Sequence, residues 1–511
     1  MSIAVNKEDS NNPFLWVTIS LLSIAAVVMI LWGTQNYGVS VSPDGKTYLY
    51  YAGELAKGNQ IDLTVFPPLY PALLAALSSM ASIEPFRAAR LINAFLFGLT
   101  IFFSGLFYKR TLNASLLFLV LAVISVMVAI PLLPLFLGAY SEPLFIVLVL
   151  LALICLDSYL RRPGWRQLIV GAVALGLACA TRYAGVIFIF SWALSILVFT
   201  KSPFKKKIFH IIVSGVLAGL PLVVILLQNY FKSGSFTGTR ISSSYSYLEN
   251  AKSMVLNMLK WYIPGQAFEN SFVLYPFFFL LGFGIALYYK EVWQKDRPSV
   301  SRYFHILLWI LGYLAFLMIN ARTTFLQLID NRYLAPIFIP ANLLVLAFFQ
   351  ELFKLFGLRK GKLLAQVALC LFVATWLIYP LARANAKFDT MRSEGEGFSS
   401  RFWRENATLQ YIVQNFPDRK VYSNNYHAII FHSGQLAYES PRKYRGTATL
   451  DTLESLRAGW PEEGQACLVW FDHIQEEHFF TPEELLTFTT LEQLVEFPDG
   501  TVYYLSRGQD Q

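Results

Sequence analysis

Five short segments of this chain carry residues that could do chemistry. Asp44 sits in Ser42-Pro43-Asp44-Gly45, just past a first hydrophobic run. Glu142 lies in Tyr140-Ser141-Glu142-Pro143, at the start of another. Arg182 and Tyr183 occupy the turn Thr181-Arg182-Tyr183-Ala184-Gly185, and Arg332 and Tyr333 follow Asp330-Asn331. Arg240 ends a run of small residues, Ser233-Gly234-Ser235-Phe236-Thr237-Gly238-Thr239-Arg240. A carboxylate at a membrane surface can accept a proton from a hydroxyl or amine within hydrogen-bond reach. A guanidinium offers a planar fork that fits phosphate oxygens. Acids and arginines together therefore suit a general base working beside a phosphate. Each also has a plainer reading. Asp44 could cap a helix beginning at Gly45 or Lys46. Glu142 could answer a helix N-terminal dipole. The arginines could be held in ion pairs, for instance with Asp330.

These residues must be held by a membrane scaffold. The chain has 511 residues, of which 55% are hydrophobic and only 14% charged, against about a quarter charged in soluble proteins. Its mean hydropathy is +0.48. Apolar runs long enough to cross a hydrocarbon core recur along it. Eleven spans are expected, near 14–32, 87–108, 113–131, 141–160, 167–181, 184–200, 208–230, 271–289, 303–320, 333–350 and 363–381. The stretch 68–83 is short and follows Pro67-Pro68, so it reads as an interfacial helix. Of the 29 Lys and Arg before residue 382, 18 fall in alternate loops. Those loops are cytoplasmic by the positive-inside bias. The N-terminus is then inside and the C-terminus outside, in a multi-pass plasma (inner) membrane protein. Arg182, Arg240 and Arg332 lie on the outer side, against that bias.

The expected division is a transmembrane domain, 1–381, with outer loops 33–86 and 231–270, and an extracytoplasmic domain, 382–511. In the first outer loop, Tyr48, Tyr51, Ala52 and Leu55 recur at helical spacing, and Gly58 would end that helix. The tail alternates a helix-like run, Trp403 to Phe416, with strand-like runs and a capped helix at Thr481-Pro482-Glu483-Glu484, which predicts a small α/β domain. The first 381 residues have net charge +15 and the rest −7. The overall +8 thus reflects membrane orientation, and no basic stripe with interleaved aromatics points to nucleic acid. The histidines are scattered and form no zinc pattern. No Walker loop, GxGxxG turn or Gly-x-Ser-x-Gly elbow occurs.

The first-loop acid, Pro67-Pro68-Leu69-Tyr70, Ser141-Glu142-Pro143-Leu144-Phe145, Thr181-Arg182-Tyr183 and Asn331-Arg332-Tyr333 occur in this order. Over about 14–345 the chain resembles bacterial membrane glycosyltransferases of the GT-C superfamily, in the branch of protein O-mannosyltransferases and lipid A aminoarabinose transferases. The resemblance implies an all-α polytopic bundle and transfer of a sugar from a polyprenyl-phosphate donor to an acceptor across the membrane. It implies Asp44 as catalytic base, Glu142 as a residue that helps position the acceptor, and the arginines with Tyr183 and Tyr333 as the phosphate site. The aminoarabinose-transferase branch carries a lysine before its Pro-Pro pair, where this chain has Phe66. Arg182, Arg240 or Arg332 would then carry more of the charge. No cofactor is called for. A divalent metal stays open, because related enzymes differ in metal use. The alternatives are a transporter or flippase of a lipid-linked saccharide, and a non-catalytic envelope assembly protein. The sugar and the acceptor are not written in the sequence.

Overall fold

In a computed structural model of the chain, the described residues are 13–507 except 60, 62–63, 113–115, 239–242, 244, 266–296, 324–327, 358–361, 446–447 and 475–477. The membrane part is built from long apolar helices. Helix α1 (Pro13–Gly33) lies along α4 (Pro85–Leu112). Gly98 permits that approach, since a Cβ there would stand 2.6 Å from a Val27 methyl. Without a hydrophobic drive between helices in lipid, such close backbone packing is what holds them. Between α1 and α4 lie α2 (Pro43–Ala56) and α3 (Leu69–Ala81). The stretch expected as a short helix at 68–83 forms α3, and Gly58 (φ +82°) follows the end of α2 as expected.

The remaining bundle helices are α5 (Leu116–Met127), α6 (Leu133–Phe136), α7 (Glu142–Arg161), α8 (Trp165–Thr181), α9 (Val186–Phe199), α10 (Phe204–Ser233), α11 (Tyr247–Leu259), α12 (Arg297–Thr323), α13 (Asn331–Gly357) and α14 (Lys362–Ser393). Among the described residues, six helices are long and apolar enough to cross a membrane: α1, α4, α7, α10, Tyr303–Arg322 of α12 and Asn331–Gln350 of α13. This is a multi-pass membrane protein. The expected span 271–289 lies outside the described residues.

Three expectations change. The span expected at 113–131 is shorter. Helix α5 has 12 residues, about 18 Å of rise, and the chain then turns through the one-turn α6. Leu132, Leu133, Phe136 and Leu137 are wholly buried there, and irregular backbone is tolerated at such depth only inside protein. Helix α14 continues past 381 to Ser393, so the boundary expected at 382 falls within a helix. The run Trp403 to Phe416 is two helices, α15 (Arg401–Glu405) and α16 (Ala407–Gln414). Asn406 breaks it because its side chain accepts the Leu409 N–H and caps the second.

A polar knot pins the bundle interior. Asn342 is wholly buried and donates to Ser125 Oγ at 2.8 Å and Tyr108 Oη at 3.1 Å, while accepting from Tyr262 at 3.2 Å. Fully satisfied, such a group links helices that apolar contacts alone would let slide. Beyond α14 the chain forms a five-stranded sheet. Its strands are β1 (Val421–Ser423), β2 (Tyr438–Glu439), β5 (Gln465–Phe471), β6 (Thr489–Phe497) and β7 (Gly500–Arg507), in the order β2-β1-β5-β7-β6. Short β3 (Tyr444–Arg445) and β4 (Ala448–Thr449) pair separately. Helix α17 (Tyr426–Ser433) packs on α2, and its Phe431 meets Phe86, at the start of α4, edge-on at 5.7 Å.

Candidate active site

Each site residue sits where a helix starts or stops. Pro43 supplies the fixed φ of a first helical position, and Ser42 is the cap, its Oγ accepting the Gly45 N–H at 3.1 Å. The expectation that Asp44 caps the helix is therefore corrected. Ser42 already fills that role, and Asp44 lies inside the first turn with its carboxylate free to reach outward. Glu142 opens α7, just ahead of Pro143. Arg182 ends α8 with an extended backbone (φ −151°, ψ 134°), and a 3-10 turn at Tyr183–Gly185 leads into α9. Arg332 lies in the first turn of α13. Asp330 accepts the Arg332 and Tyr333 N–H groups at 2.9 and 3.3 Å, so it caps that helix.

These four ends meet. Arg332 donates from Nε to Glu142 at 2.5 Å and from Nη2 to Asp44 at 2.6 Å. Arg182 pairs with the same Glu142 oxygen at 2.7 Å. Its Nη1 also donates to Ser141 Oγ at 3.3 Å. Ser141 shares a hydrogen bond with Tyr48 at 3.2 Å. The Arg332 guanidinium lies 4.7 Å above the Tyr140 ring. The arginines are thus ion-paired, but with Glu142 and Asp44, while the Asp330 carboxylate serves the cap. Two acids face two guanidiniums, and the cluster is neutral before any ligand enters. Exposure separates the acids: the Glu142 side chain is 1% exposed and that of Asp44 is 33%. A buried carboxylate held by two arginines is fixed in place, whereas Asp44 can meet a substrate. Tyr48, outside the spans, is buried, which pushes its hydroxyl above the ordinary phenol range.

Asp44, Arg182, Tyr183, Arg332 and Tyr333 line one cavity of about 630 Å³. Its far wall is apolar, with Leu222 and Leu226 of α10 and Phe316 and Leu317 of α12. A second cavity, about 550 Å³, lies against Arg332 and Tyr140 and is lined also by Asp330, Arg383 and Lys387. Six of the seven expected site residues are therefore assembled, and Arg240 lies outside the described residues. Tyr183 turns its hydroxyl to the Thr64 carbonyl at 3.1 Å, and Asn229 donates to that hydroxyl at 2.9 Å. Tyr313 was not foreseen. It lines the first cavity, stacks on Phe188 at 5.2 Å and donates to the Tyr333 carbonyl at 2.9 Å. Asn229 was not foreseen either. The amide pair Gln228-Asn229 near the end of an apolar helix was its one signal in the sequence. The site carboxylates are taken up by guanidiniums, and no group of three or more His, Cys, Asp or Glu suited to a metal occurs among the described residues. As placed, these side chains do not form a metal cage.

No protein-family model matches the chain, and no curated protein matches it significantly. Solved structures do. The chain is similar to ArnT from Cupriavidus metallidurans in the apo state, with a TM-score of 0.59 and 12% identity over 95% of this chain and 97% of that one. Against ArnT bound to undecaprenyl phosphate the TM-score is 0.55, with the same identity and coverage. An Archaeoglobus fulgidus oligosaccharyltransferase, crystallised with Zn and sulfate, matches with a TM-score of 0.52 and 13% identity over 83% of this chain and 62% of that one. The chain has the GT-C fold of these membrane glycosyltransferases.

Proposed function

We propose that this protein moves a sugar, a hexose or a pentose, from a polyprenyl-phosphate donor to an acceptor on the extracytoplasmic side of the bacterial inner membrane. The observation that carries this reading is the Arg332 fork, held between a buried acid and a partly exposed one beside a cavity with an apolar wall. The polyprenyl chain would lie along that wall, and its phosphate would reach Arg182 and Arg332. ArnT, whose fold this chain has, is known bound to undecaprenyl phosphate, which supports a donor of that class.

A phosphate arriving at Arg332 competes with Asp44 for the fork. Once phosphate oxygens take the Nη2 position, the Asp44 carboxylate is released toward the acceptor. The acceptor oxygen or nitrogen attacks the anomeric carbon. The bond from that carbon to the phosphate oxygen breaks, and its electron pair leaves with the phosphate. Arg182 and Arg332 hold the charge that develops there, and the acceptor proton passes to Asp44. Glu142 is too buried to touch either substrate, so its role is to orient both guanidiniums. Among the described residues Asp44 is the one carboxylate that lines the first cavity, which suits a single displacement. Asn36 and Val39, just after α1, contact Arg392 in the last turn of α14 and Ser399 just past it, which agrees with both lying outside.

The test uses the purified protein in lipid vesicles with a radiolabelled polyprenyl-phosphate sugar and extracted envelope fractions. Label should move from donor to one fraction. If it stays on the donor while the intact donor crosses the vesicle membrane, the protein is a transporter of that lipid instead.

A further inference from the structure

Asp44 and Glu142 sit on different helices, so something must set the distance that the Arg332 fork spans. The strip 39–41 lies between the end of α1 and the Ser42 cap, and Val39 and Val41 are wholly buried. On one side it pairs in parallel with 137–139. Ser40 N–H donates to the Leu137 carbonyl, and Ala139 N–H to the Ser40 carbonyl, both at 2.8 Å. Three residues past each strip stand the two carboxylates, Asp44 after Val41 and Glu142 after Ala139. The pairing of these strips therefore sets the spacing of the acids.

The other edge of 39–41 is taken by a distant segment. Phe398 N–H donates to the Val41 carbonyl at 2.8 Å, and Val41 pairs in parallel with Gly397. Ser399 Oγ donates to the Val39 carbonyl at 2.7 Å, across 360 positions of sequence. Gly397 has φ +62°, a left-handed backbone that favours glycine. A Cβ there would drive into the Val41 carbonyl, 2.8 Å from its carbon. Gly395 has φ +67°, and a Cβ on it would stand 2.8 Å from the Tyr37 Cβ. Other contacts anchor the same turn. Glu396 pairs with Lys387 of α14, His432 of α17 meets the Phe398 carbonyl at 2.8 Å, and Arg404 donates to the Ser399 and Tyr37 carbonyls at 3.1 and 2.9 Å.

We propose that the 395–399 turn is a positioning element of the active site, with Gly397 setting the place of Asp44 through the backbone of 39–41. This rests on the transferase reading above. No residue of the turn lines either cavity, although Glu396 pairs with Lys387, which lines the second. It acts by closing the free edge of the strip that leads into Asp44, as an edge strand closes a sheet.

The test compares Gly397→Ala, the milder Ser399→Ala, and Gly464→Ala as a control. Gly464, just before β5, has φ +76° with nothing within 4 Å of a Cβ, so alanine there carries backbone strain without a clash and away from the turn. The readouts are kcat, donor KM, melting temperature and amide exchange over 39–47. Gly397→Ala should speed exchange over 39–47 by about ten-fold or more, as a locally opened segment does. It should lower kcat by on the order of 10²-fold, the effect of a displacement near 1 Å at a reacting group. Donor KM should stay near its wild-type value, because Arg182 is not on the strip. Gly464→Ala should lower the melting temperature through its backbone strain and spare both exchange and kcat. In an Asp44→Asn background, Gly397→Ala should cost little further activity, because both act on one step. Wild-type kcat in a folded Gly397→Ala protein overturns the proposal. So does an equal further loss in the Asp44→Asn background. If Gly397→Ala does not fold, Ser399→Ala decides by the same readouts, and unchanged exchange over 39–47 counts against the idea. Exchange is read without any transfer assay. Absent transfer by the wild-type protein would thus fall on the proposed function, and unchanged exchange on the positioning role.

Discussion

Asp44→Asn should separate catalysis from binding in opposite directions. The amide keeps the size of the carboxyl but cannot take the acceptor proton. Loss of a general base typically lowers turnover by about 10²–10⁴. Binding behaves otherwise. In the ligand-free site Asp44 holds Arg332 at 2.6 Å, and the donor phosphate must displace it. Two charges 4 Å apart attract by about 4 kcal/mol at an effective dielectric near 20. With side chains 25% and 33% exposed, solvent screens most of this, and a net value of about 1 kcal/mol is realistic. Removing the competing carboxylate should therefore tighten polyprenyl-phosphate binding by up to about five-fold. Stability should change little, by about 1 kcal/mol or less, because Ser42 and not Asp44 caps the helix. The assay combines turnover with radiolabelled donor, titration of polyprenyl phosphate by tryptophan fluorescence, and thermal unfolding. Near-normal turnover would remove Asp44 from the role of base. Slow turnover with much weaker donor binding would refute the competition between Asp44 and phosphate.

Arg332→Lys keeps the charge but loses the fork that joins Asp44 to Glu142. Donor affinity should fall by about 1.5–3 kcal/mol, or roughly 10- to 100-fold, and Arg182→Lys should weaken it less. Unchanged donor KM and turnover in both variants would make these arginines structural ion-pair residues only. Glu142→Gln leaves two half-buried guanidiniums without their shared, buried anion. Its stability should fall by about 3–5 kcal/mol, read as a large drop in melting temperature, and a small drop would mean that Glu142 is not the keystone of the cluster. His432 gives a pH dependence outside the membrane. Burial lowers its pKa below the ordinary 6.5, so the folded protein favours the neutral ring and the unfolded chain takes up the proton first. Its contribution is then fully present above 6.5 and declines as pH falls below it. The wild-type melting temperature should drop over that range more steeply than that of His432→Gln, and parallel curves would contradict the assignment.

Much of this molecule is written locally. Apolar runs at membrane length specify the long helices, because a backbone in lipid must satisfy its own hydrogen bonds and a helix does so within one segment. The turn at Arg182, the start at Arg332 and the end of α2 near Gly58 follow from nearby residues for the same reason. The candidate site was legible as residue types, since acids and arginines beside apolar helices are costly in such a chain and stand out. What the sequence left open is which charges meet. Nothing near Arg332 says that its guanidinium reaches Asp44, 288 positions away, when Asp330 is two residues off and ready to pair. The tertiary fold decides this by using Asp330 for the helix cap and bringing the starts of α2 and α7 to the same place. It also decides that Glu142 is buried and Asp44 is not, a difference of packing that two carboxylates cannot show in sequence. The strip 39–41 is the clearest case. Its edges are closed by backbone groups from 137–139 and 397–398 together with the Ser399 hydroxyl, and backbone hydrogen bonds between distant segments carry no residue code. Only the glycine at 397, left-handed and pressed against Val41, marks where they meet.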